Sequence, residues 1–110
     1  MVVEIGYHEE FKRQIKQLLK KYPSMRNDFA NFLAEIEQNP LQGVDLGNGV
    51  RKLRMAITSK GKGKSGGARV ITYNVQQTDE CLIVTLLTIY DKNEIANISD
   101  AFIKALIATI

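Results

Sequence analysis

Val50-Arg51-Lys52-Leu53-Arg54-Met55-Ala56-Ile57, then Gly61-Lys62-Gly63-Lys64-Ser65-Gly66-Gly67, then Ala68-Arg69-Val70-Ile71-Thr72-Tyr73-Asn74-Val75 is the stretch that decides the fold. In the first segment Leu53, Met55 and Ile57 alternate with Lys52, Arg54 and Ala56. A pleated strand turns such residues to opposite sides, so one face meets a core and a basic face points outward. In the third segment Arg69 shares parity with Ile71, Tyr73 and Val75. The middle segment is a flexible small-residue loop between two strands. From Val50 to Thr78 there are seven basic residues (Arg51, Lys52, Arg54, Lys60, Lys62, Lys64 and Arg69) and no acid, while the whole chain carries only +3. Positive charge gathered in this way predicts a phosphate-handling surface.

The flanks complete the fold. Upstream, Phe11, Ile15, Leu18, Leu19 and Tyr22 recur at helical spacing, with Lys12, Arg13, Lys16 and Lys20 on the other faces. Pro23 ends that helix and Ser24 is placed to cap a second, whose stripe is Met25, Phe29, Phe32, Leu33 and Ile36. Asn39-Pro40 stops it. So short a link predicts an antiparallel helical hairpin. Val2 to Ile5 reads as an edge strand and Leu41 to Asn48 as a loop. Downstream, Gln76 to Glu80 is a polar turn. Leu82 to Tyr90 is apolar on both faces, which suits a central strand. Ser99 is placed to cap a last helix with Phe102, Ile103, Leu106 and Ile107 inward. The order is β-α-α-β-β-β-α. This predicts one α+β domain over residues 1–110, a small antiparallel sheet packed on an N-terminal helical hairpin and a C-terminal helix. The helices are expected on one face, leaving the other partly open and basic.

Composition narrows the chemistry. With 110 residues, 45% of them apolar and 25% charged, the chain buries a core without staples. A single cysteine, Cys81 in an apolar run, excludes an internal disulfide and reads as a reduced buried thiol. No apolar run nears the ~18 residues of a membrane span. Early acids exclude a signal peptide, so a cytoplasmic location is expected. One His and one Cys cannot build a zinc site, and no acidic cluster has ligand spacing, so no metal or cofactor is expected. His8 reads as a helix-start residue, and Ser-His-Asp or Cys-His catalysis lacks support. Gly63-Lys64-Ser65 suggests a P-loop, but Thr58 stands where its first glycine belongs and a strand follows instead of a helix.

Cationic chemistry remains. RNA is cut without metal or His when one group deprotonates the 2'-OH, one stabilises the phosphorane and one helps the 5'-oxygen leave. A lysine crowded by other cations moves protons. An arginine keeps its proton and suits charge stabilisation. Lys62 and Lys64 beside Arg54 and Arg69 supply both kinds of group. Simpler readings stand beside this one. Lys60 and Lys62 also fit a solvated hairpin tip, Arg51 an edge residue snorkelling from the core, and Arg69 a structural ion-pair partner. Tyr73 and Tyr90 fit core aromatics with wet tips. Tyr90, ending a central strand, is the one placed to reach the open face and stack on a base, with Lys92 two residues on.

Val50 to Arg54, Gly63 to Tyr73 and Leu86 to Glu94 together resemble the RelE/ParE toxin superfamily, and most closely its HigB-like branch. The "GKSGGARVI" segment from Gly63 to Ile71 is the most specific of the three. The element order agrees over nearly the whole chain. The resemblance implies the toxin of a type II toxin–antitoxin pair, a metal-independent mRNA endonuclease that acts in the ribosomal A site. It implies catalytic roles for Arg54, Lys64, Arg69, Tyr90 and Lys92, and RNA or ribosome contacts for Arg51, Lys52, Lys60 and Lys62. The implied partners are the ribosome, its mRNA and a helix-turn-helix antitoxin, with operator DNA reached only through the antitoxin complex. The chain departs from some relatives in having no His near the C-terminus, which leaves Lys64 or Lys92 as general base, and in having Thr72 where an aromatic is common. A gyrase inhibitor of the ParE type, or a non-catalytic antitoxin- and nucleic-acid-binding module, is the alternative on the same fold.

Overall fold

The computed structural model describes all residues 1–110. In chain order the elements are β1 (Val2–Tyr7), α1 (Glu9–Lys21), α2 (Met25–Gln38), β2 (Val44–Gly47), β3 (Val50–Met55), a 3-10 turn at Thr58–Lys60, β4 (Ala68–Thr78), β5 (Cys81–Asp91) and α3 (Asp100–Ile107). The strands form one sheet in the order β1-β5-β4-β3-β2. The α+β architecture is the expected one, with three differences. β1 runs parallel to β5, so the sheet is mixed and not purely antiparallel. A further strand, β2, lies in the segment read as a loop. Its four residues, Val44-Asp45-Leu46-Gly47, do alternate, but all of them are exposed. It turns into β3 through Asn48 (φ 55°) and Gly49 (φ 83°), the consecutive left-handed pair that a two-residue type I′ hairpin requires. No helix is long and apolar enough to cross a membrane.

His8 caps α1, its ring Nδ1 accepting the Glu10 N–H at 3.0 Å. Glu9 and Glu10 in the first turn and Lys20 and Lys21 in the last suit the helix dipole. Ser24 precedes α2, but its hydroxyl does not cap the helix; it donates to the Asp28 carboxylate at 2.7 Å instead. Phe11, Ile15 and Leu18 of α1 and Met25, Phe32 and Ile36 of α2 pack on one sheet face, against Leu53, Met55, Ile57 and Val70. Phe11 and Met25 are wholly buried; burying a side chain of that size contributes about 1.5–3 kcal/mol.

The helices do not share one face, as the sequence suggested. Ile103 and Leu106 of α3 pack on the opposite side, against Val50, Ile71, Leu87 and Tyr90. A β-bulge explains how β5 serves both cores. Ile71 pairs with Thr88 and Thr72 with Leu86, which leaves Leu87 unpaired. The extra residue breaks the two-residue period. Leu86 and Ile89 therefore face the first core, and Leu87 and Tyr90 the second. This second face is apolar only where α3 lies on it. Lys52 and Arg54 share parity with Val50, and Arg69 with Ile71. They continue that face beyond the apolar patch as the floor of a groove.

Candidate active site

The groove encloses about 560 Å³ and gathers Lys52, Arg54, Lys64, Arg69 and Lys92, with Gln42, Gly43, Val44, Leu46 and Ala96 as its remaining walls. Five cations and no acid line it. β3 supplies Lys52 and Arg54, the glycine loop Lys64, β4 Arg69, and the segment after β5 Lys92. Arg54 and Arg69 are direct cross-strand partners, and Arg69 pairs on its other side with Tyr90. Like charges directly opposite destabilise the pairing, and an anion in the groove relieves that cost.

Arg69 is 5% exposed. Its guanidinium donates to the carbonyls of Lys64 at 3.0 Å, Ala68 at 3.2 Å and Ser65 at 3.1 Å. It has no carboxylate partner, so the ion-pair reading of this residue fails. Three neutral carbonyls take three of its five N–H donors and fix its position without cancelling its charge. The same bonds tie down the basic loop.

That loop is held at several points, contrary to the flexible tip the sequence suggested. The Asp28 carboxylate of α2 accepts the Thr58 N–H at 2.8 Å and the Thr58 hydroxyl. Burial alone would raise the Asp28 carboxyl, but the bonds from Thr58 and Ser24 outweigh it and hold it below the usual carboxylate range. Gly67 closes the loop against β3. A Cβ there would lie 2.1 Å from the Met55 carbonyl oxygen, so only glycine fits. Its own carbonyl accepts the Lys92 N–H at 3.1 Å, which joins loop to β5 at the groove's edge.

Lys60 does not join the groove. Its ammonium lies 2.7 Å from Asp91, with the two side chains 9% and 1% exposed. Asp91 also accepts the Tyr22 hydroxyl and the Asn93 N–H. Burial pushes the Asp91 carboxyl up, but the Lys60 ammonium, the Tyr22 hydroxyl and the Asn93 N–H overcome this and hold it low. The expectation of RNA contact at Lys60 is therefore corrected to a buried anchor. Arg51 is likewise occupied. It donates to the Gln42 and Gly43 carbonyls at 2.9 and 3.2 Å and lies 3.8 Å from Asp45, pinning β2 and the segment before it to β3. Lys62 is exposed on the loop and outside the groove. Lys52 donates to Asn97 at 3.2 Å. Lys64 stands 3.5 Å from Glu35, both about half exposed, a pairing too loose and wet to contribute much.

Tyr90 is corrected too. It is 4% exposed, under α3 among Ile71, Leu87 and Ile103, and so presents no face to a base. Its hydroxyl is buried without a hydrogen-bond partner. Sequence reasoning missed the wall formed by Gln42, Gly43, Val44, Leu46 and Ala96. The Asn48-Gly49 dipeptide was the available signal, since it predicts the hairpin that carries β2 to the groove. No group of three or more His, Cys, Asp or Glu side chains is gathered anywhere.

A cationic groove on the open end of a five-stranded sheet, with a glycine loop pinned over it, is what the residue-level comparison with known families meets. The profile of the RelE toxin of RelE/RelB toxin–antitoxin systems matches residues 10–109. That span takes in both helices of the hairpin, every groove residue and α3, and the chain therefore belongs to the RelE toxin family.

Proposed function

We propose that this toxin is a ribosome-dependent mRNA endonuclease of the HigB-like branch. It would cut by metal-independent 2'-OH attack and so inhibit translation. The observation that carries the reading is the acid-free groove with five cations, two of them arginines in direct register. A scissile phosphodiester lies along this floor. Arg54 and Arg69 hold its non-bridging oxygens and stabilise the extra charge of the phosphorane, since a guanidinium keeps its proton. Lys64 or Lys92 is the side chain placed to take the 2'-OH proton. The O2'–P bond forms and the P–O5' bond breaks. The 5'-oxygen takes a proton from a neighbouring ammonium. The products are a 2',3'-cyclic phosphate and a 5'-hydroxyl. Tyr90 acts through Arg69, as the packed neighbour that fixes its strand. Lys52 and Lys62 extend the phosphate contact to mRNA and rRNA.

As the toxin of such a pair the protein has a cognate antitoxin as partner. We assign it to the helix-turn-helix class, covering the basic face, with operator DNA reached through the complex. Primer extension on a defined mRNA, with and without translating ribosomes, tests the reading. Codon-phased cuts that need ribosomes support it. Equal cutting of naked RNA would replace it with a free ribonuclease. Absence of cuts, with loss of DNA supercoiling by gyrase, would replace it with the ParE-type function.

A further inference from the structure

The groove has a second wall that phosphate binding does not use. Opposite the cations stand Val44 and Leu46 of β2, with Gln42 before them and Ala96 across. Val44 is 61% and Leu46 44% exposed, apolar surface bordering a strongly charged floor. Val44 is the direct cross-strand partner of Lys52, so apolar wall and cationic floor adjoin within one residue pair. The wall is preorganised, because Arg51 holds the Gln42 and Gly43 carbonyls. Only the Gln42 backbone is hydrogen-bonded, its carbonyl accepting from Arg51 and its N–H donating to the Asn39 carbonyl, which leaves the side-chain amide free. Tyr90, the expected stacking residue, is buried under α3, so a base in this groove must find another surface.

Resting on the cleavage reading above, we infer that this wall is a nucleobase subsite. Val44 and Leu46 cover the face of the base beside the scissile phosphate, and Gln42 is the specificity-determining residue. A glutamine amide offers one donor beside one acceptor, the complement of a base edge, and such a bidentate pair discriminates against other bases by about 5- to 100-fold. The aliphatic wall is sequence-tolerant, because every base has an apolar face.

The test uses the full-length protein on ribosomes programmed with mRNAs that vary every base of the A-site codon, reading rates from mapped 5' ends. The wild type should prefer one base at one position by about 5- to 100-fold. In Gln42→Ala the rate on that base should fall toward the others, so the four rates converge. Val44→Ser should lower cutting on all four bases through a higher half-saturating concentration and leave their ranking intact. An equal drop on every base in Gln42→Ala, or an unchanged preference, overturns the assignment. A wild type that cuts every base equally overturns it while leaving the cleavage reading standing. A wild type that cuts nothing overturns both.

Discussion

Replacing Lys60 by methionine removes the ammonium from a buried carboxylate and keeps most of the side-chain volume. The pair is close, 2.7 Å, and nearly dry, with side chains 9% and 1% exposed. Deleting one partner of such a pair costs about 3–5 kcal/mol, because the surviving charge is left in low dielectric. Asp91 keeps the Tyr22 hydroxyl and the Asn93 N–H, which places the cost at the low end, about 3 kcal/mol. For a domain near 100 residues that is a fall in Tm of roughly 12 °C or more. The assay is thermal and urea unfolding followed by circular dichroism. Lys62→Met is the control, two residues away on the same loop but exposed, and should stay within about 0.5 kcal/mol of wild type. The double variant Lys60→Met/Asp91→Asn buries no charge and should recover part of the loss. If Lys60→Met unfolds together with Lys62→Met, the anchoring role is wrong, and Lys60 returns to the cations available to RNA.

Gly67→Ala should destabilise by about 1–3 kcal/mol, since its Cβ would meet the Met55 oxygen at 2.1 Å and the Ile57 nitrogen at 2.9 Å, both backbone atoms. Gly6→Ala, whose Cβ would meet only the Thr85 hydroxyl at 3.8 Å, should be nearly neutral by the same urea titration. Asp28 and Asp91 both have carboxyls held low in the fold. Their contribution is therefore present above the ordinary carboxylate pKa of about 3.9 and is lost as pH falls through their lowered folded values. Unfolding free energy should be flat above about pH 5 and decline below it, less steeply in Asp28→Asn; equal acid slopes in the two proteins would exclude Asp28 as a source.

How far the sequence reached depended on whether a residue's role was written in its own neighbourhood. The alternation of Leu53, Met55 and Ile57 and the two helical stripes depend on local periods, and their buried faces agree with those periods except at Leu19, which is 40% exposed. Arg54, Lys64, Arg69 and Lys92 came together because strand parity and a short loop bring them together. Lys60 and Lys62 look alike in the chain, each beside glycine. Asp91, thirty-one positions away, distinguishes them, and no local pattern carries that distance. The bulge at Leu87 turns Tyr90 toward α3. A strict two-residue count cannot see a bulge, and the burial of Tyr90 follows from it. β2 is only four residues, the shortest run in which alternation signals a strand, although Asn48-Gly49 announced its turn.

The most direct test of the groove as the seat of cleavage is the single-turnover rate on ribosome-bound mRNA for wild type and Arg54→Ala. Arg54 is exposed and anchors nothing, whereas Arg69→Ala would also release the Lys64 and Ser65 carbonyls. The account predicts a folded Arg54→Ala protein that cuts about 10²- to 10³-fold more slowly, the loss expected when one donor to the transition-state charge is removed. A folded variant that cuts the same mRNA at the wild-type rate would contradict it.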